Sequence, residues 1–288
     1  MPASALALVL TAAVLHAAWN ALAKRGRDQL CFLWWAVTLA TVLVMPLSVP
    51  MLVATGVPAS AWPYVAATIV LHVVYFYALG RAYRSGEFSV VYPVARGLGV
   101  ALVPVLAAVI FDERPSALGG AGVALVVVGI FALHLASRSW SRAAAAGRAL
   151  GPDLGWALAT GLMTAGYSVV DKGGVARLHP LPYIELMFAG MSLLLLPVVL
   201  AQPGPLGREW TTNWRTILPA ALMTVSAYLL VLFAFQLSKA AYVVAAREVS
   251  IVLSALIGGL WFREGHVIAR LAGAAVVLAG VVCIALAR

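Results

Sequence analysis

The sequence predicts an all-α integral membrane protein: ten transmembrane helices arranged as two inverted five-helix repeats. Three observations carry that prediction. The first is composition. Of the 288 residues, 64% are hydrophobic and 10% are charged, and the mean hydropathy is +1.01. A soluble domain carries roughly 25% charged residues, and no soluble core could hide this much apolar surface. The second is a series of apolar runs, each about long enough to span a bilayer at roughly 20 residues per helix. The third is an internal duplication. Ser89–Phe111 reads SVVYPVARGLGVALVPVLAAVIF and Ala240–Phe262 reads AAYVVAAREVSIVLSALIGGLWF. One gapless offset of 151 pairs Arg96 with Arg247, Tyr77 with Tyr228, Glu113 with Glu264, Gly122 with Gly273 and Gly129 with Gly280. Self-similarity at a fixed offset marks repeated structural units.

The first span, Ser4–Ala23, is closed by Lys24-Arg25-Gly26-Arg27-Asp28. Ala21-Leu22-Ala23 resembles a signal-peptide cleavage site, but no Lys or Arg precedes the apolar run, so it reads as a membrane helix. The second span, Leu30–Leu47, is expected to end at Pro46 and Pro50, since proline lacks a helical donor and clashes with the preceding turn. An uncharged connector with Gly56 and Pro58 leads to the third, Trp62–Ala82, which carries Tyr75-Phe76-Tyr77. The fourth is Ser89–Phe111. Asp112-Glu113-Arg114-Pro115 then forces a tight turn, because proline cannot continue a helix and charge cannot enter lipid. The fifth is Ala117–Ala136, rich in Gly and Val.

Residues 137–153, with Arg138, Trp140, Arg142 and Arg148, join the halves. They lie flat at the interface, where Trp and Arg suit headgroups, or form a solvated linker. The sixth span is Leu154–Val170 and the seventh Pro182–Leu200. A polar loop with Arg208 and Arg215 precedes the eighth, Ile217–Leu237. Ser238-Lys239 turns into the ninth, Ala240–Phe262, and Arg263-Glu264-Gly265-His266 into the tenth, Val267–Ala287. Spans one and six match at an offset of 148, which pairs Trp19 with Tyr167, Asn20 with Ser168 and Lys24 with Lys172. The repeats are therefore 1–136 and 154–288, with the linker at 137–153 between them. Five is odd, so the second repeat inserts upside down relative to the first. Inverted repeats of this kind place a binding site near the midplane, where the halves meet.

Charge sets the expected orientation. The odd-numbered loops hold twelve Lys and Arg, while the even-numbered loops and the C-terminus hold five. The positive-inside rule then puts the odd loops in the cytoplasm and both termini outside. The net charge of +9 sits in these short loops and is no nucleic-acid footprint.

Polar groups inside lipid cost about 2.5–3.5 kcal/mol each when ionised, so they face protein or water. In span six, Thr160, Thr164, Ser168 and Asp171 form one stripe at helical spacing. His16 and Asn20 stack in span one beside Trp19, and Tyr92 and Arg96 stack in span four. Arg247, Ser250 and Ser254 share a face of span nine, with Glu248 beside them. Tyr75, Tyr77 and Tyr228 come from spans three and eight, and Tyr167 from span six. Together these residues wall a central cavity between spans one, three, four, six, eight and nine. Arg96 or Arg247 would hold a carboxylate or phosphate through charge-assisted bonds, and Tyr and Trp would supply apolar walls with polar edges. His16, Glu185 and Glu248 are the groups placed to take up a proton and couple transport to it. Each has a plainer reading. Arg96 could snorkel to the interface, Glu185 sits near the start of its span, Asp171-Lys172 could be a helix-end ion pair, and Ser and Thr often bond their own helix. Spans five and ten, almost purely apolar with paired glycines, read as peripheral scaffold or dimer-contact helices.

Four pieces, HAAWNALAK at 16–24, YPVARG at 92–97, FDERPS at 111–116 and AREVS at 246–250, resemble the drug/metabolite transporter superfamily, EamA type. The likeness covers both halves. It implies a ten-helix carrier built from two five-helix repeats, working by alternating access in a bacterial inner membrane. It also implies both termini in the cytoplasm, opposite to the charge count. The function implied is secondary transport of small metabolites, with export of amino acids or related compounds first. A carrier of phosphorylated or nucleotide-linked metabolites is the alternative, with both arginines as phosphate clamps. An integral-membrane enzyme acting on lipid ranks lower, because the acidic residues scatter among turns. No G-x-x-x-x-G-K-[ST] loop is present, so the sequence shows no ATPase motif of its own. The expected partners are a small-molecule substrate and the bilayer, with no cofactor, metal or nucleic acid, in a monomer or homodimer.

Overall fold

The computed structural model describes residues 1–23, 26–85, 88–135, 152–201, 205–253 and 267–287. Among them lie α1 (Ala3–Ala23), α2 (Gln29–Thr55), a 3₁₀ turn (Ala59–Ala61), α3 (Trp62–Ser85), α4 (Phe88–Phe111), α5 (Ala117–Leu135), α6 (Pro152–Val175), α7 (Pro180–Leu200), α8 (Pro205–Leu237), α9 (Ala240–Arg247) and α10 (Val267–Leu286). The linker up to residue 151, the ninth span from 254 and the turn at 263–266 lie outside the described residues. Among the described residues five helices, α1, α2, α3, α7 and α8, are individually long and apolar enough to cross a bilayer. Large apolar side chains such as Val53 and Val109 are 82% and 79% exposed, as suits a surface solvated by lipid rather than water.

Three helix boundaries differ from the sequence expectation. α2 runs through Pro46 and Pro50 to Thr55. Ending it there would strand a full turn of backbone donors and acceptors in hydrocarbon, whereas each proline forfeits one hydrogen bond. Gly56 closes it with φ +65°, a conformation that favours glycine. The expected loop around Arg208 and Arg215 is instead the opening of α8. That opening is anchored by polar contacts: buried Glu209 accepts the Asp28 N–H at 3.1 Å and an Asn213 amide hydrogen at 2.6 Å, and the Trp35 indole donates to the Leu206 carbonyl at 3.0 Å. α6 continues to Val175, so Asp171 and Lys172 lie within the helix rather than past its end.

The halves interlock. α6, the first helix of the second half, packs against α3 and α4, while α1 packs against α8 and α9. α7 lies on α2 and α3, and α5 lies on α10. The two termini meet at one face, where the Met1 amine donates to the carbonyls of Ile284 and Ala287.

The duplicated glycines meet at the α5–α10 crossing. A Cβ at Gly122 would sit 2.7 Å from the Gly280 carbonyl oxygen, and one at Gly280 2.6 Å from that of Gly122. Gly129 lies against Val277 and the Gly273 carbonyl in the same way. Each glycine thus faces the repeat partner of the other, as two antiparallel, equivalent helices require. The paired glycines serve a contact inside the chain. Gly122→Leu should lower the unfolding free energy by about 1–3 kcal/mol or more through overpacking. Gly155→Leu, at a site where a Cβ meets nothing within 4 Å, should be close to neutral. Thermal unfolding in detergent of both variants checks this.

Candidate functional site

α9 breaks at its charged end. Glu248 leaves the α-helical pattern, with its N–H bonded to the Ala245 carbonyl at 3.1 Å, and helix resumes over 249–253. A tight turn within a helix re-aims neighbouring side chains. Here it sends Glu248 and Arg247 to different neighbours. Glu248 Oε2 pairs with Arg96 Nε of α4 at 3.0 Å, and Arg96 Nη2 donates to Ser250 Oγ at 3.4 Å. Both partners are buried, so Arg96 does not snorkel to the interface. Arg247, 4% exposed, has one hydrogen bond among the described residues, a long 3.5 Å contact from Nη2 to the Tyr167 hydroxyl. Its Nε has none. The sequence supplies the reason: at the repeat position equivalent to Glu248 stands Gly97, so the two arginines have one adjacent carboxylate between them, and Arg96 takes it.

A column of polar groups rises from Arg247 toward the terminal face. Tyr167 stacks on His72 of α3 at 4.1 Å between ring centroids. His72 Nε2 lies 3.1 Å from the Tyr228 hydroxyl of α8. Tyr228 donates to Asp171, which is fully buried and also accepts from Thr68 of α3 and, at 2.8 Å, from Tyr183 of α7. Four helices therefore converge on one carboxylate. Gly174 makes room, since a Cβ there would collide with the Tyr183 ring.

The terminal face above this column is tied together by ion pairing. Asp112 adopts φ +52°, tolerated by aspartate better than by most side chains, and turns the chain after α4. Glu113 then reaches Lys172 Nζ at 2.9 Å and accepts the Ala240 N–H at the start of α9, also at 2.9 Å. Lys172 further donates to the Phe235 and Ser238 carbonyls, both at 2.7 Å. Asp171 and Lys172 thus point to different partners and are no helix-end pair. A cavity of about 750 Å³ opens on this face, lined among others by Glu113, Lys172, Gln236, Lys239 and Tyr242.

The structure sorts the residues singled out from sequence. Arg96, Glu248, Ser250, Arg247, Tyr167 and Tyr228 join the buried network, and Tyr75 packs edge-on against Tyr167. His16 lies within electrostatic reach of Arg96 and Arg247. Its neighbour Asn20 donates to the His16 carbonyl at 2.7 Å, and Trp19, edge-on to the His16 ring, packs against the cluster of Ala23, Phe32, Ile217 and Ala220. Thr164 and Ser168 bond the carbonyls one turn back, at 2.9 and 2.7 Å, and Thr164 fills the space beside Gly99 where α4 crosses α6. Tyr77 must be removed from the cavity: it is 53% exposed in line with Val70 and Val74, on the outer face of α3. The Tyr92 side chain lies outside the described residues. Glu185 is buried beside Ser48 of α2, not at the interface and not in the network. Sequence reasoning missed Thr68, His72 and Tyr183 as site residues. Thr68, His72 and Tyr75 follow at helical spacing on one face of span three, a signal available before the fold.

Comparisons with known proteins agree with this architecture. The family model described as "EamA-like transporter family" matches residues 153–286, and that of "Small Multidrug Resistance protein" matches 32–126. The two matches together support an EamA-type drug/metabolite transporter. The chain is accordingly an integral, multi-pass membrane protein that carries small molecules. A solved crystal structure shares the fold over 99% of both chains, with a TM-score of 0.72 at 18% identity. No curated protein matches the transporter in sequence.

Removing one member of a buried ion pair leaves a lone charge and costs about 3–5 kcal/mol, whereas replacing both can be neutral. Glu248→Ala should therefore destabilise by about that amount, and Arg96→Met combined with Glu248→Leu should recover most of it. Unfolding of both variants in detergent measures the difference.

Proposed function

We propose that this transporter is a secondary carrier of small metabolites bearing a carboxylate, amino acids first among them, and that Arg247 receives the carboxylate. One observation carries the reading. Arg247 is a buried guanidinium whose charge no carboxylate answers directly among the described residues, at the place where elements of both halves meet. Such a group within a membrane is costly unless it works on a ligand. Arg96 holds no second clamp free, because Glu248 already pairs with it. One available guanidinium suits a singly charged carboxylate better than a phosphate, which argues against phosphorylated or nucleotide-linked substrates. His72, Tyr167, Tyr228 and Tyr75 supply aromatic surface next to it, as small-molecule sites do.

In this reading the halves 1–136 and 154–288 rock about the site. The Glu113–Lys172 pair, which ties the α4–α5 turn to α6, opens when the terminal face does.

Hydrogen bonds to a charged group are worth about 1.5–3 kcal/mol, so Arg247→Ala should weaken half-saturation by about 10- to 150-fold. Arg247→Lys should fall between. Counterflow of labelled amino acids in proteoliposomes measures this. Unchanged half-saturation in Arg247→Ala would make the arginine structural.

A further inference from the structure

The hydrogen count around Asp171 does not close without one more proton. Thr68 has one hydroxyl hydrogen and gives it to Asp171 Oδ1. His72 Nδ1, 2.9 Å from the Thr68 carbonyl oxygen and 3.0 Å from its hydroxyl oxygen, must then carry a hydrogen and donate. Tyr183 gives its hydrogen to Oδ1. Tyr228 also has one hydrogen, yet two acceptors face it: Asp171 Oδ2 and His72 Nε2. With Asp171 ionised and His72 neutral, one of them looks at a lone pair. In a site from which water is excluded, such a mismatch is expensive.

One added proton repairs the mismatch in either of two ways. Placed on Nε2, it lets His72 donate to Tyr228 and Tyr228 donate to Oδ2. Placed on Oδ2, it lets Asp171 donate to Tyr228 and Tyr228 donate to Nε2. The two arrangements interconvert when Nε2–H breaks as the Tyr228 oxygen takes its proton, while the Tyr228 hydrogen passes to Oδ2. Nothing else is consumed or released.

We propose that Asp171, Tyr228 and His72 form a proton-binding site that holds one exchangeable proton, and that this proton is coupled to substrate binding at Arg247. The site joins α6, α8 and α3, and so both halves of the chain. The groups facing it are Thr68 and His72 from α3, Tyr183 from α7, Tyr228 from α8, Tyr167 from its own helix, and Arg247 of α9 at the Tyr167 hydroxyl. Lys172, the adjacent residue, is turned to Glu113. Among the described residues no Lys or Arg nitrogen pairs with Asp171. Within the network the charges of Arg96, Glu248, Arg247 and Asp171 balance when Asp171 is ionised. A proton on the triad leaves one positive charge in excess beside Arg247 and so favours an anion there. By linkage the anion favours the proton equally.

The proton-binding half of the proposal stands without the transport reading; the coupling half rests on it. The protein labelled with ¹⁵N in histidine, purified without substrate, tests the first half. The His72 ring-nitrogen signals should move with pH in the native chain. In Asp171→Asn they should be fixed, because the amide donates permanently to Tyr228. They should lose their hydrogen-bonded character at Nε2 in Tyr228→Phe. His72 signals that ignore pH, or that titrate alike in Asp171→Asn, overturn the site whatever the protein transports. For the second half, amino-acid counterflow is measured with equal pH on both sides of the membrane. Half-saturation should tighten by about 5-fold or more as pH falls across the range in which His72 moves, and lose that dependence in Asp171→Asn. Counterflow that ignores pH in the native protein overturns the coupling. Absence of counterflow with a titrating His72 overturns the amino-acid reading and, with it, the coupling at Arg247, while it upholds the proton site.

Discussion

A charge inside a bilayer must be answered from within the protein, and that constraint organises this transporter. Among the described residues six Asp, Glu and Arg side chains are buried, and four of them, Arg96, Asp171, Arg247 and Glu248, lie in the network between the halves. Each has shaped its surroundings. The break in α9 at Glu248 separates two adjacent charges so that one meets α4 and the other meets α6. The convergence of α3, α7 and α8 on α6 brings three hydroxyl donors to Asp171. Glycines at 97, 99, 161 and 174 permit close helix approaches around these charges, since a Cβ at any of them would strike a neighbouring helix.

Duplication alone would produce a symmetric site, and the chain departs from it at the positions that carry the charges. Glu248 faces no acidic counterpart, because Gly97 occupies its repeat position; Asp171 corresponds to Ala23 and His72 to Met223. Among the described residues the polar column therefore rises toward the terminal face, above one arginine that pairs with a carboxylate and one that does not.

Much of the fold was legible in the sequence because lipid imposes few solutions. Length and hydropathy marked the helices, and the constant offset revealed the duplication. The failures have physical causes. Pro46 and Pro50 would end a helix in water, but not where the alternative is unsatisfied backbone in hydrocarbon. Arg208 and Arg215 looked like loop residues because charge resembles solvent exposure, yet a helix may carry its polar opening turns beyond the apolar layer. For the site, matched identity proved a weak guide to direction. Tyr77 and Tyr228 are repeat partners, yet one faces outward and the other binds Asp171. His72 went unnoticed because a single histidine among Val and Leu carries little signal until Tyr228 and Asp171, distant in sequence, are seen beside it.

The central claim is that a buried guanidinium selects substrates by their carboxylate. Competition in counterflow tests it most directly, with native protein in proteoliposomes, a labelled amino acid that exchanges, and two unlabelled competitors. One competitor is the same amino acid; the other is the amine that lacks only its carboxylate. The account predicts that the amino acid competes and the amine does not. Equal competition by the amine would contradict it and move recognition away from Arg247.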